Sequence, residues 1–216
     1  MRNFLISCTA LCLAPGSGAQ AHPHLFVGVD VTMIYENGSP TGIKLEWAYD
    51  EFFSLLLTTD LGIDLDGDLV LSPDEIETLA ASVADWPEDF GGDLEVTQVG
   101  NDVALGERTQ HTMTYSEGLI RETHVRPILA GTNTSDPLVV RVYDPFYYIS
   151  YSLNGAVTFE GIDTCAAAIT APDLNAAYSL VEELLYGRAA SDVGADEEFP
   201  KVGIEFAETI TISCAH

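Results

Sequence analysis

The sequence predicts an α+β fold: an antiparallel β-sheet domain with an inserted helix–loop–helix of EF-hand type and one C-terminal helix. Three observations predict it. Alternating apolar residues flank an Asn-Gly turn near the start of the mature chain. An acidic twelve-residue loop lies between two helical patterns after that hairpin. A single apolar helical stripe appears late in the chain.

The first element is one that does not stay. Arg2, the apolar run Phe4–Ala14, and Ala19-Gln20-Ala21 make a charged start, an apolar middle and a small-x-small cleavage site. Residues 1–21 therefore read as a secretory signal peptide and residues 22–216 as one periplasmic domain. The apolar run is short of the roughly 20 residues that span a bilayer, and no second long run follows, so the mature chain is not expected to span a membrane. The 216 residues carry 34 Asp+Glu against 8 Lys+Arg, a formal charge of -26. Such a field repels nucleic acid and attracts cations.

In the hairpin, Leu25, Val27, Val29, Val31, Met33 and Tyr35 alternate along one strand, and Ile43, Leu45, Trp47 and Tyr49 along the next. Asn37-Gly38 turns the chain between them. A helix follows from Asp50 to Asp60 with Phe53, Leu56 and Leu57 on its apolar face. A second begins at Ser72-Pro73-Asp74-Glu75, which supplies an N-cap, a first-turn proline and a capping-box glutamate. Its face is Ile76, Leu79, Ala80 and Val83, and the insertion spans about residues 50–86.

From about residue 93 to 160 strands return: His111–Tyr115, Leu119–Arg126, Leu138–Tyr143, Phe146–Leu153 and Val157–Phe159. A helix covers Asp173 to Tyr186, Gly187 closes it, an acidic loop occupies Ser191–Glu198, and a last strand runs from Gly203 to Ser213. With Cys8 and Cys12 in the leader, Cys165 and Cys214 remain. An even pair in an exported chain reads as a disulfide.

Two constellations carry chemistry. Asp64, Asp66 and Asp68 fill the first, third and fifth places of a calcium loop, Val70 offers a backbone carbonyl at the seventh, and Glu75 is the twelfth. Leu69 stands at the sixth place, where a sharp turn with positive φ favours glycine, at a cost of about 1–2 kcal/mol. The second is His22-Pro23-His24. Cleavage after Ala21 would leave His22 with a free amine, and three nitrogens within three residues suit zinc or nickel. Cross-strand pairs summing to about 74–76 would set His24 opposite Asp50 or Phe52, so that His22, His24 and Asp50 form an open transition-metal site. On the same pattern, His124 shares a face with Glu122 and Arg126 and is expected in solvent, while His111 reads as a core-edge histidine. No serine–histidine–acid spacing, phosphate loop or dinucleotide fingerprint is present, which points to a binding protein rather than an enzyme.

The order of these pieces resembles a family. Ala21-His22-Pro23-His24, Trp47-Ala48-Tyr49-Asp50-Glu51-Phe52-Phe53-Ser54, Leu71-Ser72-Pro73-Asp74-Glu75, Val142-Tyr143-Asp144-Pro145-Phe146-Tyr147-Tyr148 and Cys165 together resemble the bacterial domain of unknown function 1007 family. The resemblance implies an exported protein encoded beside nickel/cobalt-type permeases. Its expectation is a periplasmic accessory protein that delivers zinc or nickel to an inner-membrane permease. The alternative is a calcium-stabilised periplasmic binding module for a protein or organic solute, without transition-metal function. Leu69 and His124 depart from the family pattern.

Overall fold

The computed structural model describes residues 23–87, 90–129, 132–188, 190, 193, 197 and 199–215. The signal-peptide reading, His22 and most of the acidic loop 191–198 lie outside the described residues. The hairpin forms as expected. Strands β1 (Leu25–Glu36) and β2 (Ser39–Tyr49) pair antiparallel, with Asn37 and Gly38 both at positive φ, as a two-residue hairpin turn of the right twist requires.

Next come α1 (Glu51–Leu61) and α2 (Pro73–Ser82), followed by β3 (Leu94–Gln98), β4 (Asn101–Asp102), β5 (Thr109–Ser116), β6 (Leu119–Pro127), β7 (Leu138–Val142), β8 (Ile149–Leu153), β9 (Thr158–Glu160) and β10 (Cys165–Thr170). Helix α3 (Leu174–Leu184) and β11 (Thr209–Cys214) complete the order. One mixed sheet has the order β5-β6-β2-β1-β8, with β8 and β9 both parallel to β1; the other is β10-β11-β7-β3-β4, paired antiparallel.

The odd residues of β1 and β2 pack against Val96, Leu138, Val140, Val142, Ile210 and Ile212 of the second sheet. Met33, Ile43 and Leu45 are wholly buried there, each contributing roughly 1.5–3 kcal/mol. Beyond the reach of the second sheet, the helical pair covers β5 and β6 through Ile63, Leu71, Leu79, Met113 and Ile120. Helix α3 seals a smaller cluster with Phe199, Val202 and Phe206.

Several expectations need correction. The buried face of α1 is Ser54 and Thr58, not Leu56, because the Ser54 hydroxyl accepts the Ile120 amide and ties the helix to β6. Residues 146–148 turn rather than extend: Asp144 accepts amide hydrogens from Phe146, Tyr148 and Ile149 and so delays β8. Residues 203–206 form a 3-10 turn, so the last strand starts at Thr209. The alanine-rich β10 carries little period-2 contrast and was not expected. It sets Cys165 directly against Cys214, and the two form the disulfide.

Candidate functional site

The hairpin register decides the N-terminal arm. Val27 faces Tyr49, and beyond them the Asp50 amide donates to Phe26 O at 3.0 Å, so Phe26 rather than His24 lies across from Asp50. Asp50 is the N-cap of α1. Its Oδ1 accepts the Phe53 amide at 2.8 Å and its Oδ2 the Phe26 amide at 2.9 Å. His24 is exposed, its backbone amide bonds Tyr148 O, and its ring lies 4.5 Å from that of Tyr148. His22 lies outside the described residues.

The acidic loop brings three carboxylates together. Among the described residues, one group of three carboxylate side chains has ligand oxygens within 4.8 Å of one another: Asp64, Asp66 and Asp68. Leu69 adopts φ 62, the left-handed turn its place demands, and its amide points to Asp64 Oδ1 at 3.3 Å. Leu71 is buried, as an inward-packing eighth residue should be. The Tyr115 hydroxyl donates to Asp64 Oδ2 at 3.1 Å and ties the loop to β5. Glu75 instead closes the capping box: Oε1 accepts the Asp64 amide, and Oε2 accepts the amide and hydroxyl of Ser72. Those bonds hold the Glu75 carboxyl below its usual range.

A third constellation was missed. Strand β6 pairs with β2 so that Trp47 faces Glu122, Leu45 faces His124 and Ile43 faces Arg126. Even residues of β6 therefore share the inner face with odd residues of β2, and His124, expected in solvent, is 0% exposed. The polar row is roofed by Trp86 and Arg108 rather than by the second sheet. Arg108 Nη1 donates to Glu122 Oε1 at 2.6 Å and Nη2 to the carbonyls of Val83 and Ala84. The Tyr49 hydroxyl donates to Glu122 Oε2 at 3.0 Å, and burial pushes its pKa well up. Burial works against the Glu122 charge, but His124 and Arg108 outweigh it and hold the carboxyl below its usual range.

His111, a core-edge residue as expected, brings Nε2 to 3.4 Å from Glu122 Oε1, and His124 Nδ1 approaches the same oxygen at 3.4 Å. Burial pushes the His111 pKa down. Among the described residues, the ring nitrogen His111 Nε2, both nitrogens of His124 and Trp47 Nε1 have no hydrogen-bond partner. The Arg108 guanidinium on Oε1 makes one buried ion pair with Glu122, and the two imidazoles flank the same oxygen. The sequence clue was the alternation Glu122-x-His124-x-Arg126 itself; only the pairing with β2 tells which way it faces.

On the other side of Gly91 and Gly92, Asp93 takes φ 48 and accepts the Tyr151 hydroxyl at 2.7 Å. Burial raises its pKa from 3.8 to about 7, the Tyr151 hydrogen bond opposes the rise, and the charge of Asp144 adds to it. Tyr143 donates to Glu95 Oε2 at 2.8 Å, and burial together with that bond pushes its pKa up to about 12.

Among the described residues, no helix is long and apolar enough to cross a membrane, and the disulfide is consistent with an extracytoplasmic protein. An uncharacterized protein of Haemophilus influenzae is 25% identical over 205 residues, which cover 91% of this chain and 93% of that relative. The family described as a protein of unknown function, DUF1007, matches residues 7–214. With nearly the whole chain inside that match, from the hairpin through the acidic loop to the disulfide strands, the protein belongs to the DUF1007 family.

Proposed function

We propose that the protein is an exported divalent-cation-binding module whose acidic loop takes calcium. The observation that carries this reading is the convergence of Asp64, Asp66 and Asp68 in a loop whose sixth residue, Leu69, already holds the left-handed turn. A hard cation needs oxygens gathered from a short segment, and here three carboxylates supply them before any rearrangement. The twelfth ligand comes at a cost. Glu75 must leave the amides of Asp64 and Ser72 to reach the ion. Affinity is therefore expected at the weak end, roughly 10⁻⁴–10⁻³ M, the range of extracellular modules.

Calcium titration by calorimetry tests the reading. Glu75→Gln should weaken binding about tenfold or more. Leu69→Gly should change affinity little, because the turn exists already, yet raise stability by about 1 kcal/mol. Absence of both binding heat and any rise in Tm at about 10 mM calcium, well above the expected Kd, would overturn it.

A second reading, delivery of zinc or nickel to a nickel/cobalt-type inner-membrane permease from the periplasm, is favoured by one observation: His24 is exposed, on the chain segment that leads into the Phe26–Asp50 pair. It would use His22, His24 and Asp50. His24→Ala should then lower zinc affinity about tenfold by removing a chelate ring, with affinity falling below about pH 6 as the imidazoles protonate. Equal zinc affinity in wild type and His24→Ala would exclude the arm.

A further inference from the structure

Beside the buried polar row lies a cavity of about 520 Å³, lined by Trp86, Pro87, Phe90, Leu105, Arg108 and Arg126 among others. We propose that this cavity binds a small organic carboxylate with an apolar body. The proposal is independent of the cation reading, since it uses none of the loop residues.

Charge is the first argument. Arg126 is 8% exposed, and among the described residues it forms no ion pair. Its Nε donates to Gly106 O at 2.8 Å and its Nη1 to Gly91 O, which leaves the two N–H of Nη2 without an acceptor among the described residues. Neighbouring Arg108 is matched by Glu122, so one guanidinium of the pair is neutralised and the other is not. A buried cation ordinarily carries a counter-charge, because water no longer screens it. Among the described residues no carboxylate is placed against Arg126; the two acidic residues that line the cavity, Asp85 and Glu107, are exposed and form no ion pair with it. Burial pulls the Arg126 pKa down, with no anion to offset it.

Shape is the second. Trp86 stacks with Trp47 at 6.2 Å, meets Phe90 edge-on at 5.0 Å and carries the Arg108 guanidinium 4.4 Å from its ring. It is held from several sides, so the apolar wall exists before a ligand arrives, and a preformed wall lowers the ordering cost of binding. A carboxylate seated on Nη2 would gain a charge-assisted hydrogen bond and lay its apolar part on Trp86, Phe90 and Leu105. Asp85 and Glu107 disfavour a dianion, and the apolar wall gives inorganic phosphate nothing to contact.

The test is a titration with benzoate, benzamide and inorganic phosphate, followed by tryptophan fluorescence and calorimetry, with and without calcium. Benzoate should bind at least about tenfold tighter than benzamide and phosphate, since only it combines charge with an apolar ring. Arg126→Gln should lose about tenfold or more in benzoate affinity, with benzamide unchanged. If Arg126→Gln does not fold, the benzoate-to-benzamide ratio in the wild type decides the matter alone. No benzoate binding, benzamide matching benzoate, phosphate matching benzoate, or benzoate affinity kept in folded Arg126→Gln would each overturn the proposal. Calcium dependence separates this site from the loop, because loss of calcium binding alone leaves benzoate affinity intact.

Discussion

Replacing Asp93 by asparagine should change how stability depends on pH. Asp93 sits just before β3, half-buried beside Tyr151, and loss of solvent around the carboxyl lifts its pKa from 3.8 to about 7. In the unfolded chain the carboxyl releases its proton near pH 4. Between about pH 4 and pH 7 the folded state therefore holds a proton that the unfolded state has lost, and stability rises as pH falls through that window. Above pH 7 the carboxylate is charged in both states, and the full burial penalty stands. Three pKa units correspond to a ceiling of about 4 kcal/mol; partial access of water to the carboxyl reduces this to roughly 2–3 kcal/mol. Asparagine tolerates the positive φ of this position and can still accept the Tyr151 hydrogen bond, but it carries no charge. Asp93→Asn should thus be more stable than wild type by roughly 2–3 kcal/mol at pH 8 and about equal at pH 4.5. Urea denaturation at both pH values, followed by circular dichroism, gives the difference directly. Repeating it in high salt removes the long-range effect of one fewer charge on a chain of net -26. A stability difference that does not change between pH 4.5 and pH 8, or a mutant less stable at pH 8, would refute the argument.

Other substitutions test the packing. Arg108→Met strands the Glu122 carboxylate in the interior and should cost about 3–5 kcal/mol in urea denaturation, most of which Arg108→Met with Glu122→Leu should recover. Cys165→Ser opens a loop closed across 49 residues of sequence separation and should cost roughly 4 kcal/mol; a reductant should lower the wild-type Tm by a matching amount and leave the variant unchanged.

The elements built from local rules were legible. Alternation along β1 and β2 with Asn37-Gly38 between them leaves one economical structure, a hairpin, because any other pairing would expose the apolar face. Ser72, Pro73 and Glu75 announce the start of α2 because the cap is satisfied within a single turn. The loop carboxylates are close in space because they are close in sequence. The disulfide followed from chemistry: with Cys8 and Cys12 read as part of a leader, an even pair in an exported chain is expected to be oxidised, even though the strand carrying Cys165 was not foreseen.

What only the tertiary structure decided lies where distant segments meet. Period-2 alternation divides β6 into two faces but does not say which one is inside, and polarity gave the wrong answer for His124. The pairing of Leu45 with His124 settles it, and that register joins strands nearly eighty residues apart. The same register buries Glu122 beside Arg108 and Arg126 without a counter-charge among the described residues, facts that no local window contains. On the N-terminal arm, local pattern left the cross-strand sum open between 74 and 76; the assembled sheet takes 76, which sets Phe26 rather than His24 opposite Asp50, and Asp50 caps the helix. Short-range patterns set the elements because their energies are local; the register between elements is set by the packing of the whole core, which is a property of the assembled chain.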